Sequence, residues 1–436
     1  MRRRAPIAVV ALAVLLNLAN TPAQERRSTL NPKPPSSADA RELSARIDTL
    51  LIARQADSVQ AIVARSLPDA FAEGDSALVS ALLLARAQAN QMGGRMREAR
   101  EAFAAVREWA EGSRDSARWM DALGGGAYSA GVLGMRDESV ALNTRLLEIA
   151  LATDDLIREA RARTGRAYVA MVGGDLASAR AGYARSIRLY RMAGDGRAEL
   201  VPLVGLGRVY SSLGQIDSAR ACFKRVWLSA TEMGQQVEAA HALNNLGTLE
   251  HRYGDLMLAM QYYQTAFEIH RAQGETMGAM TAASNLALAH QACGRYDKAA
   301  EILQEQLAVC EDAGTRPQAG LVLKNLGFAY ASARRIQSAN ATFRRAAAMG
   351  DTLDVQVRID ALWGLADALA VDSLDAAIEV LRTGIETIGQ GDLTLDLKSR
   401  LTLARLLLDR QDGEDAIIEI RRALSASEGL PPDRMG

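Results

Sequence analysis

Three asparagines recur at a fixed interval: Asn245, Asn285 and Asn325, each followed by Leu and then Gly or Ala in the triplets NLG, NLA and NLG. A carboxamide both donates and accepts hydrogen bonds, so a row of them suits the backbone of an extended chain. Further polar residues stand around them at helical spacing: His241, Asn244, Thr248, His251, Arg252, Thr281, Ser284, Gln291 and Lys324. Arg252 and Lys324 carry the charge to pair a carboxylate, although basic residues on helices are often simply solvated. The equivalent earlier positions, Gly125, Gly165 and Gly205, carry no side chain. Polarity is thus concentrated in one part of the chain.

Other chemistry is hard to find. The four histidines, His241, His251, His270 and His290, form no H-E-x-x-H and no i, i+4 pair, so the spacing predicts no metal site. His241 and His251 would lie about 15 Å apart along one helix. Cys222, Cys293 and Cys310 show no CxxC or Cys/His spacing. If Cys293 ends one helix and Cys310 lies near the end of the next, antiparallel packing holds them about 20 Å apart, beyond the reach of a disulfide. All three read as ordinary buried or half-buried thiols. Gly124-Gly125-Gly126 falls inside a predicted helix and not between a strand and a helix, so it is no phosphate cradle. No G-x-S-x-G elbow, P-loop or caspase-type Cys with a matching His is present. Short loops leave the many carboxylates without a pocket. The expectation is a chain that is not an enzyme and has no cofactor.

The elements that carry these residues follow from composition and periodicity. At 436 residues the chain exceeds the size of a single hydrophobic core. Aromatics make up only 5% and prolines number ten, which suits alanine- and leucine-rich helices in close contact. A formal charge of −1 and a pI near 6.5 give no global attraction to nucleic acid or anionic lipid. Residues 1–23 form a separate segment: Met1-Arg-Arg-Arg, an apolar run from Ala5 to about Ala19, then Thr21-Pro-Ala23. That is the pattern of a signal peptide cleaved after Ala23, with an uncleaved N-terminal anchor as the alternative. Roughly 15 apolar residues fall short of the ~20 that span a bilayer. The chain is therefore expected to be exported, periplasmic or extracellular, with no membrane span after cleavage. Residues 24–39 are rich in Pro and Ser and read as a flexible linker.

Beyond the linker the sequence repeats itself. Gly94, Gly134, Gly174, Gly214, Gly254 and Gly294 recur every 40 residues, with Arg334 in the seventh place. Five residues after each stands a small residue: Ala99, Ser139, Ala179, Ala219, Ala259, Ala299 and Ala339. Each interval holds two apolar-periodic segments about a tight turn, so the pattern predicts about ten helix–turn–helix units over 40–427 and a short tail, 428–436. Such self-similarity marks a solenoid, and the fold class is expected to be all-α.

Leu206-Gly207 with Tyr210, then Gly214, Ala219 and Phe223, resembles the tetratricopeptide pattern. Leu246-Gly247 with Gly254, Ala259, Tyr263 and Ala266 resembles it again, as does Leu326-Gly327 with Tyr330, Ala339, Phe343 and Ala346. The likeness covers nearly the whole chain after the linker. The period of 40 is longer than the usual 34, the helix-ending proline is missing, and the second and third units have few of the aromatics. Extended units of this kind are similar to kinesin light chain and to bacterial regulators.

The resemblance implies an α-solenoid of stacked antiparallel helix pairs in a right-handed superhelix. It places Asn245, Asn285, Asn325, Asn244, His241, Arg252, Lys324 and Ser284 on the first-helix face that lines the concave groove. There an asparagine at the ladder position binds the backbone of a peptide ligand, or bonds the neighbouring helix and holds the superhelix pitch. Tyr128, Tyr168 and Phe328 fall on or near the same face, to hold apolar ligand side chains or to pack in the core. The function expected is an exported scaffold that binds a peptide or protein partner in its groove. The alternative is the sensory or assembly portion of a larger protein whose effector, such as a caspase-like peptidase or a signalling kinase or cyclase, lies elsewhere. A third is an assembly factor that binds through its convex face or open end.

Overall fold

The computed structural model describes residues 38–52, 55–113, 115–312, 314–350, 355–388 and 393–427. The signal segment, the tail and all but the last two residues of the linker lie outside the described residues. Within them are twenty helices and no strand. In chain order they are α1 (Ala38–Ile52), α2 (Ala56–Glu73), α3 (Ser76–Met92), α4 (Met96–Ser113), α5 (Ser116–Val132), α6 (Arg136–Ala152) and α7 (Leu156–Val172). Then follow α8 (Leu176–Ala193), α9 (Leu200–Ser212), α10 (Ile216–Glu232), α11 (Gln236–Tyr253), α12 (Leu256–Ala272), α13 (Thr276–Ala292) and α14 (Tyr296–Asp312). The last are α15 (Arg316–Ser332), α16 (Ile336–Ala347), α17 (Val355–Leu369), α18 (Leu374–Ile388), α19 (Leu393–Asp409) and α20 (Gly413–Ser427). The first helix starts at Ala38, so it takes in the last two residues assigned to the linker.

Turn chemistry sets the helix boundaries. Gly94, Gly134, Gly174, Gly214 and Gly294 take left-handed φ values of 71–86°, which end one helix and release the chain into the next. Gly254 departs from the series with φ −140°. Asp75, Asp115, Asp155, Asp175 and Asp255 then cap the following helices by accepting from backbone amides in the first turn.

The chain divides into two compact units, residues up to Met233 and from Gly234 onward. In both, each helix packs antiparallel on the next. The odd-numbered helices also touch one another: α1–α3, α3–α5, α5–α7 and α7–α9 in the first unit, α11–α13, α13–α15, α15–α17 and α17–α19 in the second. Odd helices therefore form one continuous wall in each unit, and even helices form the layer behind it. The fold is an all-α solenoid of stacked antiparallel pairs.

Small residues let the two layers meet. A Cβ on Gly247 would stand 2.7 Å from the Tyr263 ring, one on Gly207 would stand 2.6 Å from Phe223, and one on Gly327 would stand 2.5 Å from Phe343. Each glycine faces the large side chain of its own second helix. Tyr263 and Phe343 are almost fully buried there. Burying such a ring contributes about 1.5–3 kcal/mol, which outweighs the ~1 kcal/mol that glycine costs within a helix.

Candidate partner-binding wall

The three amide-bearing helices present their residues in one register. His241, Thr281 and Leu321 are exposed on α11, α13 and α15, and Asn244, Ser284 and Lys324 are half-buried beside them. Asn245, Asn285 and Asn325 are half-buried at the next position, and Thr248, Leu288 and Phe328 are exposed one turn on. Packed helices lie about 8–10 Å apart. An extended peptide rises about 3.3 Å per residue, so every third residue of such a peptide would meet the next amide.

Two of these amides already have partners. Asn285 Nδ2 donates to Asn244 Oδ1 at 3.0 Å and ties α13 to α11. Thr248 Oγ1 donates to the Asn244 carbonyl at 3.0 Å and receives the Tyr263 hydroxyl at 3.3 Å. Burial pushes the Tyr263 phenol up, and that hydrogen bond offsets part of the rise. Lys324 Nζ lies 3.1 Å from Asp360 Oδ2 and ties α15 to α17, so its charge is already matched within the wall. Arg252 is exposed at the end of α11, with its guanidinium 5.1 Å from the Tyr253 ring centre. Phe328 stands edge-on to Phe343, centroids 5.0 Å apart. In the first unit Tyr128 and Tyr168 lie 6.5 Å apart on the corresponding wall.

The glycines at the earlier ladder positions do not leave open space. A Cβ on Gly125 would fall 2.2 Å from the Phe103 ring, on Gly165 2.3 Å from Asn143, and on Gly205 2.3 Å from Tyr183. The even helix of the preceding pair thus fills each of these places from behind. Gly364 on α17 repeats the arrangement, with Phe343 2.3 Å from its would-be Cβ. The sequence reading missed this. It also passed over Leu288 and Leu321, which share the stripe with Thr248, Phe328 and Thr281, as the 40-residue register itself indicates.

The histidines are arranged otherwise than the spacing within one helix suggests. His241 stands with its ring centroid 4.6 Å from that of His270, which sits in the last turn of α12. Glu275, the cap of α13, lies beside them with Oε2 3.2 Å from His270 Nδ1. Burial pushes the Glu275 carboxyl up. Contact with His270 and the Gly278 amide, with the nearby His241, outweighs that and holds it below the usual carboxylate range. His251 packs against Tyr263 instead, centroids 6.4 Å apart. Cys222, Cys293 and Cys310 are free thiols, and burial pushes the first and last up.

Residues 278–351 match one tetratricopeptide-repeat family model, and residues 203–226 match a second. Those two stretches are tetratricopeptide repeats. Among solved structures it is similar to a signal transduction ATPase of the STAND class with a tetratricopeptide repeat sensor, from Pyrococcus horikoshii. Identity there is 14% and the TM-score 0.50, over 76% of this chain and 53% of the other. The chain thus spans about half the length of that protein. A Rap protein complexed with competence and sporulation factor is 14% identical over 93% of this chain and 98% of its own, with a TM-score of 0.47. BtubC from P. vanneervenii is 18% identical over 59% and 94%, with a TM-score of 0.42. No curated protein matches the chain.

Proposed function

We propose that this tetratricopeptide chain is an exported scaffold that binds an extended peptide, or an extended segment of a protein partner, along the odd-helix wall of its second unit, with no catalysis of its own. The observation that carries the reading is the shared register of Asn245, Asn285 and Asn325, flanked by exposed Leu288, Leu321 and Phe328. Amides at this spacing suit a peptide backbone, and the apolar side chains between them suit alternate residues of the same peptide. Export rests on the leader-like sequence of residues 1–23. The near-neutral charge favours protein over nucleic acid as the partner.

The test is selection of a random peptide library displayed on phage against the full chain. Enriched peptides are expected to bind saturably and to lose about tenfold in affinity on combined Asn245→Ala and Asn325→Ala change, since each hydrogen bond contributes about 0.5–1.5 kcal/mol. Asn285 is left in place because of its bond to Asn244. Peptides held equally by the double variant would put the binding face elsewhere. A chain that enriches no peptide would count against the scaffold reading.

A further inference from the structure

Donor atoms of ligand type converge where α11, α12 and the start of α13 meet. His270 is wholly buried, and neither Nδ1 nor Nε2 has a hydrogen-bond partner among the described residues. Leaving a buried polar group unsatisfied costs about 1–3 kcal/mol, and in native structures such a group points to a missing partner such as water or an ion. Glu275 Oε2 comes to 3.2 Å from Nδ1 but off the line of any N–H there. It accepts instead from the Gly278 amide at 2.5 Å, which fixes the carboxylate. His241 completes the group: one donor atom from each of His241, His270 and Glu275 lies within 4.8 Å of the others.

The repeat shows that the fold itself does not require this histidine. Its register equivalents are buried Ala110, Ala150 and Ala230, buried Tyr190 and buried Cys310. Gly278 is likewise particular to this unit, where Glu238 and Gln318 hold the same place on the flanking odd helices. A Cβ at Gly278 would fall 2.1 Å from Glu275 Oε2 and 2.4 Å from His270 Cε1. Glycine therefore makes room for the imidazole and the carboxylate together.

We propose that His241, His270 and Glu275 bind a divalent transition-metal ion, zinc foremost. Two imidazoles and a carboxylate are a donor set that zinc takes, leaving a fourth position for water or a ligand group. Tetrahedral zinc with bonds near 2.0–2.1 Å holds its donors about 3.4 Å apart. Nδ1 and Oε2 already meet that separation at 3.2 Å. A His241 donor atom lies within 4.8 Å of a donor atom of each of the other two, and a change of rotamer brings it to bonding distance. The ion would bridge two successive helix pairs at the edge of the wall that carries Asn244 and Asn245.

The test uses the full chain, purified without a histidine tag and stripped of metal. Zn(II) is titrated in competition with a chromogenic chelator, and Co(II) is followed by its visible d–d bands. One equivalent of Zn(II) is expected, with an intense tetrahedral Co(II) spectrum. His241→Ala, which removes an exposed side chain, and Glu275→Gln, which keeps an acceptor for the Gly278 amide, should each weaken Zn(II) at least about tenfold and abolish that spectrum. Thermal melts of the metal-free variants confirm that they fold. Absence of saturable binding by the wild type would reduce the cluster to a His270–Glu275 contact and overturn the proposal. Unchanged affinity in both variants would do so too, by moving the ion to His251, His290 or the thiols.

Discussion

Arg334 stands where other units place a left-handed glycine, and its φ of 58° forces a side-chain-bearing residue into the same conformation. For an L-residue that conformation costs about 1–2 kcal/mol. Part of this is recovered in the unfolded chain, where glycine has more states to lose. Arg334→Gly should therefore stabilise the turn by about 1 kcal/mol, read as a higher urea midpoint. His290 tests a different local balance. Its Nδ1 is buried without a hydrogen-bond partner among the described residues. Burial, then the charges of Arg295 and Lys298, hold its pKa below the ordinary 6.5. The unfolded state accordingly takes up this proton first as pH falls. The stability His290 contributes is whole above 6.5 and is lost as pH drops through the lower folded value. A histidine titration by NMR should place the His290 midpoint below 6.5, and it should rise when Arg295 and Lys298 are changed to Gln.

A pair of glycines tests the packing of one helix on the next. Gly247 of α11 faces the Tyr263 ring with no room for a Cβ, whereas the nearest atom to a Cβ on Gly384 of α18 would be Leu362 Cδ1 at an ordinary 3.5 Å. Gly247→Ala should destabilise by about 1–3 kcal/mol through overpacking. Gly384→Ala should stabilise by up to about 1 kcal/mol through helix propensity. Denaturation of both variants checks the contrast, and equal shifts would remove the steric role assigned to Gly247. That role was legible in the sequence, because a small residue recurs at this place every 40 residues, as Gly207, Gly247, Ala287 and Gly327. So were the helix pairs and the face that carries the amides. The contacts between helices were not. The plugging of Gly125 by Phe103, the Asn285–Asn244 bond, the Lys324–Asp360 pair and the approach of His241 to His270 all join separate helices. Which rotamers meet there depends on how one helix crosses the next, and periodicity within a helix does not record that.

Contact within the solenoid is local: every substantial helix–helix contact joins helices one or two apart in chain order. Stability of such an array is a sum over units and nearest-neighbour interfaces, so unfolding need not be one transition. The two compact units differ in helix composition, and the first carries the denser run of glycine. Helix α5 there carries Gly124, Gly125, Gly126 and Gly131, each at about 1 kcal/mol against alanine. The first unit should therefore open at lower denaturant. Trp109, Trp119 and Trp227 report on it, and Trp363 alone reports on the second. Helical circular dichroism weights both units nearly alike. In urea the tryptophan fluorescence midpoint should fall below the circular dichroism midpoint, and a single-transition fit should give a slope smaller than the surface of the whole chain demands. Superimposed curves with a full-size slope would instead mean that the units unfold as one cooperative body, and that the interfaces between repeats outweigh the difference in helix propensity.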